Sequence, residues 1–171
     1  MYLPLKRLLA AALLLAIPRV DVAAQQPTTS RPNIIFILAD DQGWNGTSVQ
    51  MHPDIPASKS DFFRTPNLET LAASGMRFSQ AYSPGPMCSP TRASLQTGKS
   101  PAQLRMTDVG GARRGAPPSQ RLVFPPHTAA LSTEEITIGE TLREAGYATA
   151  WFGKFHLGSD GPGAHGYDEH D

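Results

Sequence analysis

Asn33-Ile34-Ile35-Phe36-Ile37-Leu38-Ala39-Asp40-Asp41-Gln42-Gly43 carries an unbroken apolar run into two carboxylates and a glycine. The length and β-branched content of that run predict a strand buried on both faces, as in a parallel sheet. In open α/β sheets ligands bind beyond the carboxyl ends of strands, where Asp40 and Asp41 stand. Neighbouring residues of a regular strand face opposite ways. Both acids can therefore share a ligand only past the strand end, and Gly43 helps the chain turn there. Two adjacent carboxylates in a polar site suit a hard divalent cation, calcium or magnesium. A solvated strand-end turn is the alternative.

Outward from this run, Thr65 to Gly75 predicts a helix with Thr65 as N-cap, Pro66 at its first position and Gly75 as its stop. Leu68, Leu71 and Ala72 form its apolar stripe, and Met76 to Tyr82 alternates as a short strand. Lys99 to Leu131 is broken by Pro101, Gly110-Gly111, Pro117-Pro118 and Pro125-Pro126, and reads as a long basic loop. Thr137-Ile138-Gly139-Glu140 has capping-box form, with Ile138, Leu142 and Ala145 on one face and Gly146 closing the helix. Tyr147 to Phe152 is the next predicted buried strand. A helix returning into a strand is consistent with a parallel sheet and an α/β fold.

That second strand leads into Gly153-Lys154-Phe155-His156-Leu157-Gly158. On an extended backbone Lys154 and His156, two apart, project to the same side. Together they can neutralise an anion and shuttle a proton, although each alone reads as a surface charge. Near the end, His165, Asp168, Glu169 and His170 are metal-binding types, but their spacing fits no usual site.

The only cysteine lies in Cys88-Ser89-Pro90-Thr91-Arg92-Ala93-Ser94-Leu95-Gln96-Thr97-Gly98, so no intramolecular disulfide can form. Ser89 as N-cap, Pro90 at the first position and Gly98 as stop predict a helix over Pro90 to Thr97. Cys88 and Arg92 are four apart and can meet on one face, at the positive end of the helix, where an oxyanion is attracted. A buried structural thiol and a thiolate nucleophile are the alternatives for Cys88.

With 15 basic and 15 acidic residues among 171, the chain has no net charge, which gives no reason to expect nucleic acid or an anionic membrane as partner. Its 40% hydrophobic content beside 16 prolines and 15 glycines indicates a loop-rich globular protein large enough for one core. Lys6-Arg7, the apolar run Leu8 to Ile17 and Val22-Ala23-Ala24 have the order of a secretory signal peptide, predicting cleavage after Ala24. The apolar run is short for a bilayer span, so no stable membrane anchor is expected, and the protein is expected to be exported to the periplasm or the medium. Residues 1–24 are thus expected to be the signal peptide, 25–31 a short leader, and 32–171 the folded part.

The Cys88 motif closely resembles the Cys-x-Pro-Ser/Thr-Arg signature of the type I sulfatases, continued by Ala-Ser-Leu-x-Thr-Gly. Pro32 to Gly43 is similar to the opening strand of that family, Thr65 to Phe78 to one of its packing elements, and Gly153 to Gly158 to its Gly-Lys-Trp-His-Leu-Gly motif, with Phe155 in place of tryptophan. His165-Gly166-Tyr167-Asp168-Glu169 resembles the stretch that follows.

The resemblance implies an alkaline-phosphatase-like α/β fold, with a mixed, largely parallel sheet flanked by helices. It implies that a formylglycine-generating enzyme converts Cys88 to formylglycine, whose hydrate is the nucleophile. Asp40, Asp41 and the modified Cys88 would bind the divalent metal, and Arg92, Lys154 and His156 would hold the sulfate. The implied reaction is hydrolysis of a sulfate ester, with a sulfated glycan as a possible substrate. A phosphonate or phosphate monoester hydrolase, an inactive exported fragment and a sulfated-glycan-binding module are the rivals. The basic loop, with Arg105, Arg113, Arg114 and Arg121, is expected to be solvated, with contact with such a substrate as the alternative. Members of the family are much longer and take further metal ligands, a second histidine and another lysine from their later part. The chain is therefore expected to be an amino-terminal portion, with negligible activity by itself.

Overall fold

A computed structural model describes residues 31–109, 119, 121, 122 and 125–171; the expected signal peptide and most of the leader lie outside the described residues, as do Arg113 and Arg114. The chain divides into two compact units, Met1–Leu38 and Ala39–Asp171.

In the first unit, the described residues 31–38 form no strand, and Ile35 and Ile37 are 86% and 83% exposed. This corrects the expectation of a strand buried on both faces. A parallel strand exists only through its neighbours, and among the described residues the sheet contains two strands that pair with each other alone.

The described residues of the second unit include three α-helices. Helix α1 spans Pro66–Ser74, with Thr65 at its N-cap and the Gly75 N–H returning to the Leu71 carbonyl at 3.0 Å. Its expected stripe is uncovered, since none of its residues is buried. The Thr65 hydroxyl does not cap the helix either. It accepts from the Ser48 N–H at 3.0 Å and so pins the irregular segment before it. Met76 to Tyr82 forms no strand.

Helix α2 spans Cys88–Thr97 and ends at Gly98, whose φ of +69° is the left-handed cap that glycine takes without a Cβ penalty. It begins two residues earlier than expected. Met87 occupies the N-cap, Cys88 the first turn, and Pro90 the third position. A proline is tolerated there because the first N–H groups of a helix have no intrahelical acceptor. This start frees the Ser89 hydroxyl for a different partner.

Helix α3 spans Ile138–Glu144 and begins with the expected capping box. The Thr137 hydroxyl accepts from the Glu140 N–H at 3.2 Å, and the Thr137 N–H donates to the Glu140 carboxylate at 2.8 Å. Thr137 is also 1% exposed and donates at 2.7 Å to the His165 carbonyl. Thr137→Ala removes the cap and leaves that buried carbonyl unpaired. Urea denaturation is expected to show a loss of about 2 kcal/mol. The helix is half-open on its Ile138 side and packs through Gly139, where a Cβ would lie 2.8 Å from the His165 carbonyl oxygen.

Strand β1, Ala150–Trp151, pairs in parallel with β2, Glu169–His170. The helix–strand return and its parallel partner are therefore present, though shorter than Tyr147 to Phe152. Between the strands a 3₁₀ turn, Pro162–His165, runs into Gly166.

Ala93, Leu104, Met106, Leu131, Phe155 and Leu157 form the core, with Trp151 packed against it. Three of these come from the stretch read as a solvated loop. There Met106 is 1% exposed, and the Leu131 N–H meets the Leu157 carbonyl at 2.8 Å. One wall of the core is α2, through Ala93. The segment 155–157 is another, so the core fixes these two elements against each other.

Candidate active site

Phe155 and Leu157 are buried while Lys154 and His156 are exposed, so the expected alternation through this segment holds. The backbone is not extended throughout, because His156 has a φ of +57°. The segment is tied to α2 by two bonds. The Ser89 hydroxyl donates to the His156 carbonyl at 3.0 Å, and the Arg92 guanidinium donates to the Lys154 carbonyl. Ser89 is 1% exposed and Arg92 5%. At its other end, α2 is held by Gln96, whose side-chain oxygen accepts from the Tyr167 hydroxyl at 2.8 Å. Burial pushes the Tyr167 phenol up, and that hydrogen bond draws it partly back.

This docking brings four of the sequence-predicted residues together. Lys154 Nζ lies 2.5 Å from Asp40 Oδ2 and 3.4 Å from Cys88 Sγ. Arg92 Nη2 lies 3.6 Å from the same Asp40 oxygen. The Lys154 hydrogen bond holds the Asp40 carboxyl below its ordinary range against the opposing effect of desolvation, with help from the charges of Lys154, Arg92 and His156. In return the bonds to Asp40 and Cys88 raise the Lys154 ammonium. Both groups are therefore charged across the neutral range. Cys88 stands half-buried in the first turn of α2, where backbone N–H groups add positive potential.

Asp41 and His156 stand at the margin of this group. Asp41 has a φ of +56°, a left-handed turn of the kind aspartate adopts more readily than most residues, and its side chain is exposed. His156 lies close enough for its charge to act on Asp40, and its side chain makes no hydrogen bond among the described residues. Ser89, expected as a helix cap, is instead a tertiary support, and nothing in the sequence marks its bond to a residue 67 positions away.

Asp40 and Asp41 offer oxygens of the kind a hard cation takes, but such an ion gathers 6–8 of them. Among the described residues no three His, Cys, Asp or Glu side chains converge on one point, and Asp40 is already engaged by Lys154 and Arg92. The donors fit in kind and fall short in number. What the arrangement does provide is a sulfur atom beside an ammonium, with a carboxylate that engages both that ammonium and a guanidinium. That pattern suits an anionic substrate with charge spread over several oxygens.

Comparison with known proteins gives the same picture. The family model described as Sulfatase matches residues 32–170. The chain is 37% identical over 141 residues to N-acetylgalactosamine-6-sulfatase of Sus scrofa, covering 81% of this chain and 24% of that protein. It is 36% identical over 143 residues to human arylsulfatase A, covering 84% of this chain and 24% of the relative. Among solved structures, that of Ps i-CgsB in complex with k-i-k-neocarrahexaose superposes with a TM-score of 0.61 at 30% identity, covering 82% of this chain and 28% of that one. The chain thus spans about a quarter of the length of the curated relatives it matches. Its fold is the alkaline-phosphatase-like α/β fold that the resemblance implied. The chain belongs to the sulfatase family.

Proposed function

We propose that residues 32–171 form the nucleophile-bearing part of a sulfuric ester hydrolase, with Cys88 as the precursor of formylglycine. The observation that carries this reading is the meeting of Cys88, Lys154, Arg92 and Asp40, drawn from three separate motifs. Held at position 88, the hydrate of that aldehyde would supply the hydroxyl nucleophile for sulfate-ester cleavage.

The chain's own groups do the rest. Lys154 and Arg92 neutralise sulfate oxygens and the charge that grows on them as the ester bond breaks. Asp40 keeps both cations aimed at the site before substrate arrives. His156, on the same exposed side as Lys154, is placed to give a proton to the departing alcohol. Asp40 and Asp41 would contribute oxygens to a calcium or magnesium site, whose chemistry would be to polarise the sulfate; the remaining ligands would have to come from outside the described residues. Two observations turn the substrate towards a sulfated sugar: a similar protein is named N-acetylgalactosamine-6-sulfatase, and another is seen with k-i-k-neocarrahexaose. Export, with cleavage after Ala24, is part of the same proposal.

Two measurements test it. Produced with a formylglycine-generating enzyme, the Cys88 peptide is expected to lose about 18 Da as oxygen replaces sulfur and two hydrogens leave. An unchanged thiol would overturn the mechanism. Joined to the carboxyl-terminal part of a relative, the modified chain is expected to hydrolyse aryl sulfate faster than aryl phosphonate. Asp40→Ala should then lose calcium binding and turnover together. A preference for the phosphonate would transfer the chain to the rival reaction.

A further inference from the structure

The second position of the Cys-x-Pro pattern is left open by the motif, yet in this chain it is among the most buried polar residues. Ser89 is 1% exposed, and its hydroxyl spends its proton on the His156 carbonyl at 3.0 Å. His156 is also one of three non-glycine residues with a positive φ among those described. A left-handed backbone is unfavourable for a histidine, and it persists only where the surroundings over-determine it. Here Phe155 and Leu157 are buried on either side, and Leu157 is tied to Leu131. The Arg92 bond fixes the carbonyl two residues earlier. Those contacts hold the flanks. The Ser89 hydroxyl is the one that grips the peptide of His156 itself.

We propose that Ser89 is a positioning residue, which holds His156 in its left-handed backbone and so turns the imidazole to the Lys154 side of the segment. It touches no reacting atom. Its effect reaches the chemistry only through His156, and to that extent it rests on the sulfate-ester reading above. The register of α2 makes this possible. Because the helix starts at Cys88 and not at Pro90, the residue between nucleophile and proline faces the 154–157 segment instead of capping the helix. The same turn that presents Cys88 outward therefore presents Ser89 inward. One helix turn sets the positions of the nucleophile and of the proposed proton donor together.

The test uses the full chain labelled with ¹³C and ¹⁵N, comparing wild type, Ser89→Ala and Ser89→Thr. Backbone ¹³C shifts of His156 are expected to report the left-handed geometry in wild type and in Ser89→Thr, and to lose it in Ser89→Ala. Far-UV circular dichroism and the 18 Da change at Cys88 should be the same in all three, since Cys88, Pro90 and Arg92 carry the modification pattern. Titration with inorganic sulfate should be weakened about tenfold by Ser89→Ala and restored by Ser89→Thr, as expected for one lost buried hydrogen bond. Left-handed geometry retained in Ser89→Ala overturns the proposal, and so does sulfate affinity unchanged from a binding wild type. Absence of sulfate binding even when the wild type is joined to the carboxyl-terminal part of a relative sinks the sulfate-ester reading instead, and the His156 backbone signature then decides the role of Ser89 by itself. Should Ser89→Ala fail to fold, adding His156→Gly is expected to rescue it, because glycine takes the left-handed backbone unaided. No rescue by that second change overturns the proposal.

Discussion

Gly166→Ala is expected to lower the unfolding free energy by about 3–5 kcal/mol, the sum of overpacking and a left-handed backbone. A Cβ at Gly166 would lie 2.2 Å from the Glu140 backbone nitrogen and 2.6 Å from its Cα, at a φ of +88°. The obstacle is helix backbone, which cannot swing aside as a flexible side chain can. Nor can the 166 loop retreat. The Thr137 hydroxyl holds the His165 carbonyl on one side, and the Thr149 hydroxyl holds the Gly166 carbonyl at 2.7 Å on the other. Gly98→Ala is the control, with a similar φ of +69° and nothing within 4 Å of the added carbon. It should cost only about 1 kcal/mol. Urea denaturation of both variants separates the steric part from the conformational part. Equal losses would mean that the approach of residue 166 to α3 is not tight in solution.

Arg92→Ala is expected to remove both fold stability and anion binding, by different routes. Its guanidinium is the donor to the Lys154 carbonyl, and the side chain is 5% exposed. Loss of that bond and of the buried stem should cost about 2–3 kcal/mol. The ion pair with Asp40 contributes little of this, because Asp40 stands at the surface where water screens it. In binding the order reverses. Without Arg92 one of the two cations around Asp40 is gone, and sulfate affinity should fall about 100-fold or more. Arg92→Lys should recover little of either, since a single ammonium cannot hold the Lys154 carbonyl and face Asp40 at once. Recovery of sulfate affinity in Arg92→Lys would show that charge alone is needed there.

The sequence made the residues of the site legible more readily than their supports. Asp40, Cys88, Arg92 and Lys154 could each be picked out because their motifs are rich in chemistry at short spacing. Their convergence could not, since the Lys154–Asp40 contact spans 114 residues and leaves no local trace. Ile34 to Ala39 reads as a strand in any window, yet strand formation is decided by neighbours that a window does not contain. Leu104, Met106 and Leu131 were hidden among prolines and glycines, where no period of two or of 3.6 can develop. The start of α2 was misplaced because Ser-Pro is a good beginning by local preference, while tertiary bonds from Ser89 and Arg92 fix it two residues earlier.

Those tertiary bonds also impose an order of events. Helix α2 is anchored to Lys154, His156 and Tyr167, which follow their partners by 62, 67 and 71 residues. A ribosome adding 5–20 residues per second needs roughly 3–14 s to make that much chain. Until then none of these three partners exists to hold the segment around Cys88, and its tethers stay open. The modifying enzyme proposed above, reading Cys88, Pro90 and Arg92 as a linear pattern, would have that interval in which to act. Once the tethers are synthesised the pattern is closed to it, with Arg92 and Pro90 buried and the thiol half-covered.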